Sequence, residues 1–318
     1  MIRPRSFIST VDLNVITDGF VFFVLFVWQK LSQKKFIILC DKYGNIGNQL
    51  YMSCFMIKWA QEFGALTFNF GLIHNQQYFT QPSNDIFLRY PYTKSFNSPK
   101  LQEILAASLN RISLRLLNFK LRKKIKSLDL LQNKSEKDFH KVEATIQNSD
   151  ITFFRGFVHN QPYSIFRKVF PKIKEYFEVS SRYHSKIIEP LENLKDCDVI
   201  IGVAIRQGDY KTWQNGKYYL TTQRYQQWME KVESFFAPKN VGFFIASDEV
   251  QDLSTFEKHN SFFRSGHPLE NLYSLAKCNF LLSVPSSFAG WAHFIGETPL
   301  FNLDEKVRSL SINDFKKW

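Results

Sequence analysis

The chain has 318 residues, 44% hydrophobic and 22% charged, with a formal net charge of +12. That mixture can fill a large core, and a mean hydropathy of −0.24 excludes a polytopic membrane protein. The length suits about two domains, and the basic excess leaves nucleic acid, an anionic membrane and an anionic substrate as candidate partners.

The first 35 residues, MIRPRSFISTVDLNVITDGFVFFVLFVWQKLSQKK, start basic and carry an apolar block from Phe20 to Trp28. As a helix that block spans about 14 Å, against a hydrocarbon core of about 30 Å. Asp12 and Asp18 interrupt a longer span, and no small-residue cleavage site follows. A helix packed on the next domain, attachment to a membrane surface and a true anchor all stay open.

From Phe36 onward apolar strands alternate with amphipathic helices. FIILCD reads as a strand, KYGNIG as a glycine turn, NQLYMSCFMIKWAQEFG as a helix stopping at Gly64, and ALTFNF as a second strand. This β-loop-α-β unit opens a Rossmann-like domain. Residues 75–97, rich in Gln, Asn, Pro and Tyr, read as loop. Residues 101–131 read as one basic helix carrying Arg111, Arg115, Lys120, Arg122, Lys123, Lys124 and Lys126. A solvated face, an anionic lipid or acceptor surface, and nucleic acid are its three readings, the last without a recognised motif.

DITFFRGFVHNQPYSIF reads as a strand running into a loop, followed by a helix and then a polar helix over residues 180–194. The pattern then becomes regular: DVIIGVAI, a helix capped by Thr221 or Thr222, VGFFIAS, a helix starting at Pro268, NFLLSV, SSFAGWAHFIG and PLFNL. Apolar strands alternating with helices predict a parallel sheet covered on both faces. A boundary falls near residues 150–195. The four cysteines, Cys40, Cys54, Cys197 and Cys278, form no Cys-x-x-Cys and have no histidines at ligand spacing. They suit buried thiols in a reducing compartment rather than a zinc site or disulfide framework.

In open α/β sheets, ligand-binding residues collect beyond the carboxyl ends of strands. Those positions hold Gly44, Gly47 and Asn48, then Arg206 and Asp209, then Asp248 and Glu249, then Ser286, Ser287 and Phe288. GNIGNQ lacks the glycines of a dinucleotide fingerprint and the lysine of a phosphate loop. Arg206 offers a planar fork for two phosphate oxygens, or an ion pair with Asp209. Ser286 and Ser287 offer hydroxyls and N–H groups at a helix start, for capping or for a phosphate. Asp248 either accepts from a nucleoside or begins a turn.

Four stretches in this order resemble the α-1,2/α-1,6/protein O-fucosyltransferase superfamily, and most closely the α-1,2-fucosyltransferases of glycosyltransferase family 11. GNIGNQL is similar to the family's Gly-x-Gly-Asn-Gln loop, and RGFVHNQPYSIF to its Gly-aromatic-Gln stretch. AIRQGDY sits where the family has His-x-Arg-Arg-x-Asp, and VPSSFAGWA resembles its Ser-rich loop before a tryptophan. Ala204 and Gln207 stand in place of the motif's histidine and second arginine.

The resemblance implies a GT-B-like α/β fold, two Rossmann-like domains with parallel sheets facing a cleft. Residues 1–35 would be an extension, 36–165 the acceptor-side domain with the basic insertion, and 166–318 the nucleotide-sugar domain. It implies inverting transfer of fucose from GDP-fucose to a glycan hydroxyl, with no metal and no cofactor beyond the donor. Arg206 would pair the β-phosphate, with Gly44, Gly47, Asp248, Ser286, Ser287 and Phe288 on the donor side. Asn48 would lie near the reacting groups, Asp209 is the candidate base, and His159 and Gln161 fall on the acceptor side. Nucleotide sugar and glycan are the expected partners, a membrane surface stays a candidate, and nucleic acid is not expected. The location expected is the cytoplasm, either free or on the inner face of a membrane. A relative that binds without turnover is the alternative reading, with a basic nucleic-acid-binding protein behind it.

Overall fold

The computed structural model describes residues 10–118, 124–130, 136–158, 161–306 and 310–317. They form two compact units, one of residues 1–44 and 52–178, the other of residues 45–51 and 179–318. Residues 166–178, assigned by the sequence to the second half, pack with the first unit: Phe166 against Phe55 and Tyr176 against Tyr90.

The first unit opens with helix α1 (Thr10–Ser32), far longer than its apolar block. At 23 residues it spans about 35 Å. Asp18 does not break it, because the carboxylate is 2% exposed and bonds Arg111 at 2.6 Å and Arg115 at 3.0 Å. The same face carries Val21 and Leu25 into the core beside Ile38, Phe68 and Phe70. Trp28 meets Phe36, Phe68 and Phe87 edge-on, with centroids 5.3–5.5 Å apart.

Strand β1 (Phe36–Leu39) leads through a turn into α2 (Ile46–Phe63) and β2 (Leu66–Asn69), parallel to β1 as expected. A two-residue strand, β3 (Arg89–Tyr90), runs antiparallel at the edge. The basic stretch is not one helix. Helix α3 (Pro99–Asn118) ends, and the chain enters the sheet as β4 (Ile125–Asp129), followed by α4 (Glu136–Gln147) and β5 (Ile151–Arg155). Ile125 lies between two lysines and Leu128 between a serine and an aspartate, so polar neighbours obscured a strand that pairs with β5. The sheet order is β3-β2-β1-β5-β4, and α5 (Phe170–Tyr176) follows.

The second unit contains α6 (His184–Asn193), β6 (Val199–Ile205), α7 (Thr222–Phe236), β7 (Val241–Ser247), β8 (Ser261–Phe263), α8 (Pro268–Leu275), β9 (Phe280–Ser283), α9 (Ser287–Gly296) and β10 (Leu300–Asn302). Its sheet is parallel, in the order β10-β9-β6-β7-β8. Thr221 caps α7 by accepting from the Arg224 N–H, and Pro268 opens α8. Of the stripe that helical spacing predicts, Tyr225, Trp228, Met229 and Val232 are fully buried, while Phe235 and Phe236 are half-buried.

Two glycines that follow β1, Gly44 in the turn and Gly47 in α2, have separate reasons. Gly44 adopts φ +63°, a conformation costly for side chains. Gly47, one of the α2 residues grouped with the second unit, lies against the start of α9. A Cβ there would fall 2.5 Å from the Ser287 carbonyl carbon and 2.7 Å from the Phe288 nitrogen. Helix α2 already starts at Ile46, so Asn48 sits inside its first turn.

Burial pushes the Asp18 carboxyl up, but Arg111, Ser108 and Arg115 outweigh it, and the net shift is downward. Its stabilisation is therefore present above the unfolded carboxylate value of about 3.9 and is lost as pH falls through the lower folded value. Asp18→Asn should cost about 1–3 kcal/mol at neutral pH, since both arginines keep some water contact. Urea titrations at pH 7 and in strong acid check this, because the variant's deficit should shrink in acid. Gly47→Ala should cost about 1–3 kcal/mol by overpacking backbone against backbone. Gly19→Ala, with open space around it, should gain about 0.5–1 kcal/mol; the two melting temperatures should move in opposite directions.

Candidate active site

In the second unit β6 sits between β7 and β9. The chain goes from β6 outward to β7 and β8, then returns to build β9 and β10 on the other side. The gap between β6 and β9 is thus the topological switch point, where open α/β sheets hold ligands beyond their carboxyl ends. Parallel register aligns these ends: Ala204 lies opposite Ala246 on β7 and Ser283 on β9. Arg206, Asp248 and Ser286 leave the sheet within a few residues of that line.

The Arg206 guanidinium donates to Asp248 Oδ2 at 2.5 Å and to Asp209. Asp248 is fixed from its other oxygen, which accepts the Gln207 backbone N–H at 2.8 Å. Asp209 is 60% exposed, against 21% for Arg206 and for Asp248. One carboxylate is therefore built in, and the other is open to exchange with solvent or a ligand. The ion-pair reading of Arg206 and the strand-end reading of its position both describe the same side chain.

Tyr210 joins this cluster to the β9 side. Its ring lies 5.2 Å from the Arg206 guanidinium, and its hydroxyl donates to the Pro285 carbonyl at 2.7 Å. Burial pushes its phenol up to about 12, against a pull downward from Arg206, so it stays a protonated donor at neutral pH. Trp213 stacks on its outer face at 5.1 Å. Ser286 caps α9, its Oγ accepting from the Ala289 N–H at 3.1 Å. Ser287 and Phe288 form the first turn beside Gly47.

Gln207 turns inward. Its Nε2 donates to the Leu220 carbonyl at 2.9 Å, and its Oε1 accepts from Gln251 at the same distance. Gln251 in turn accepts from the Thr222 hydroxyl at 2.8 Å. The residue read as a lost cation is thus a buried amide bracing the loop that carries Arg206. Neither Tyr210 nor Gln251 was singled out in the sequence; an aromatic directly after Arg-Gln-Gly-Asp was the available signal.

Two groupings emerge among the sequence candidates: Arg206 with Asp209 and Asp248, and Gly47 with Ser287 and Phe288. Gly44 and Gln161 belong to the first unit, Gln161 half-buried in the loop after β5. His159 lies outside the described residues. Among the described residues no three His, Cys, Asp or Glu side chains group as a metal site would need. The cation at the switch point is Arg206.

The sequence matches no curated protein. The backbone resembles a mutant of Arabidopsis thaliana FUT1 in complex with GDP, with a TM-score of 0.57 and 11% identity over 86% of this chain and 72% of that one. It also resembles the α-1,6-fucosyltransferase NodZ soaked with GDP-fucose, with a TM-score of 0.51 and 15% identity over 86% of this chain and 96% of that one. NodZ from Bradyrhizobium gives a TM-score of 0.52 at 15% identity, over 85% and 96% of the two chains. At such identities the likeness concerns the fold, which is GT-B-like, with an α/β unit of Rossmann type in each half. Sequence adds the family: the model of glycosyl transferase family 11 matches residues 44–301, from the glycine turn to β10, and the chain belongs to that family of glycosyltransferases.

Proposed function

We propose that this glycosyltransferase moves fucose from GDP-fucose to a hydroxyl of a glycan acceptor, inverting the anomeric centre without a metal. The observation that carries the reading is the place of Arg206, one residue beyond β6 at the switch point of the second sheet. The family match supports it, as do neighbours of the same fold whose structures hold GDP or were soaked with GDP-fucose. The motif order favours an α-1,2 linkage, while NodZ is an α-1,6 enzyme. The partners would be nucleotide sugar and glycan, in the cytoplasm or at the inner face of a membrane.

The chemistry follows from charge. The acceptor oxygen attacks the anomeric carbon, the bond to the β-phosphate oxygen breaks, and its electron pair leaves with GDP. Negative charge grows on that phosphate, so a guanidinium already in place lowers the barrier more than it stabilises the ground state. The diphosphate would take the place of the exposed Asp209 on Arg206, while the pinned Asp248 keeps the guanidinium aimed. The released Asp209 carboxylate is then free to accept the acceptor's proton. Backbone N–H groups at Ser287 and Phe288 add the positive end of α9, and Gly47 lets the chain approach there. Gly44, Asn48, His159 and Gln161 have their places on the donor and acceptor sides through the motif correspondence.

A second reading, a relative that binds donor or glycan without turnover, draws on Ala204 and on the commitment of Gln207 to its buried network. GDP release from GDP-fucose in the presence of glycan acceptors separates the two. The first reading expects turnover that survives EDTA; donor binding with no GDP released under any acceptor would establish the second.

Arg206→Ala should lower kcat by about 10²–10³, the usual loss for one preorganised donor. Arg206→Lys should recover only part of it, since an ammonium cannot pair two oxygens at once. Asp209→Asn should lower kcat by about 10²–10⁴ if it takes the proton, while KM for the donor falls, because the donor no longer displaces a carboxylate from Arg206. Steady-state kinetics with a melting curve for each variant check both, and a fully active Arg206→Ala enzyme would falsify the assignment.

A further inference from the structure

Helix α1 carries apolar side chains on both sides. Asp18, Val21, Leu25 and Gln29 face the domain and are buried. Ile16, Phe20, Phe23, Val24, Val27 and Leu31, at alternating helical spacings, face away and are exposed. A surface helix normally places polar residues there. Beside this stripe, Phe96 and the α3 residues Leu101 and Ile104 are exposed too. Between the two helices opens a cavity of about 170 Å³, lined only by apolar side chains, with Phe20, Val24, Phe96 and Leu101 toward solvent and Ile38 and Phe68 at its floor. Its lining offers water no polar partner and suits a hydrocarbon chain.

Around this face exposed basic side chains outnumber acidic ones. At the start of α3, Lys100 and Glu103 are both exposed. Arg115, Lys124 and Lys126 are exposed, as is Lys30 at the end of α1; Asp150 is the acidic group near Lys30 and Lys124.

We propose that the outer face of α1 with the start of α3 docks flat on a bilayer that carries anionic lipid. The aromatic and aliphatic stripe enters the acyl boundary, the cavity takes a hydrocarbon tail, and the lysines and Arg115 meet the headgroups. The helix lies in the plane of the surface rather than crossing it. Its Asp18 is bonded to two arginines of α3, so a crossing would strip a carboxylate from its partners. A second copy of the chain fits less well, because a two-fold contact would set the same cations against each other. The inference stands apart from the donor assignment.

Sedimentation of the full chain with vesicles tests it. Binding to mixed phosphatidylcholine–phosphatidylglycerol vesicles should exceed binding to phosphatidylcholine alone by about tenfold or more, and should weaken with added salt. Phe20→Ser with Phe23→Ser should lower binding about tenfold or more, with the melting temperature and the rate on a soluble acceptor retained. Lys124→Glu with Lys126→Glu should weaken binding to the anionic vesicles alone. A chain that stays in the supernatant, or phenylalanine variants that sediment like the parent, would overturn the proposal. So would a concentration-dependent dimer that those variants abolish, since a second copy would then be the occupant.

Discussion

Parallel pairing of β6 with β7 and β9 is the constraint on which the second unit depends. These strands are buried on both faces, so no charged side chain can sit within them without a partner. The first positions able to hold one lie just past the strand ends. Register makes those ends level, so Arg206 and Asp248 meet whatever route their helices take. The ion pair is thus a product of sheet geometry, and its exposed third member, Asp209, is what keeps the guanidinium available. Tyr210 extends the same logic sideways, tying the loop after β6 to Pro285 beyond β9.

Much of this was legible in the chain. Seven-residue apolar strands, a threonine cap and a proline at the first helical turn gave β6, α7, β7 and α8 their places. Arg206 and Asp248 were visible as the first charges after such strands. What escaped notice were short elements decided by tertiary pairing: β3, β8 and β4, none longer than five residues. Strand β4 and helix α4 were hidden for a further reason, since lysines and glutamates there carry the local signal while a few apolar residues do the packing.

The charges also misled in a consistent way. Asp18 looked like an interruption of an apolar helix, and Arg111 and Arg115 looked like part of a solvated run. Neither view anticipates that one carboxylate binds both guanidinium groups across ninety-odd residues of chain. Gln207 is the converse case. Counted as a missing cation, it is a buried amide with both ends satisfied, and an arginine there would leave Gln251 and the Leu220 carbonyl to be satisfied anew. Single-residue comparison with a motif sees the loss of charge but not the new task.

The seating of α1 on the first sheet has a practical corollary. Trimming an apolar leader is the usual way to make an enzyme express in soluble form. Here the cut at residue 35 would uncover Phe36, Ile38, Phe68 and Phe70, which α1 shields from water. The truncated product would bare an aromatic sheet face and clump, and its loss from the soluble fraction would say nothing about lipid.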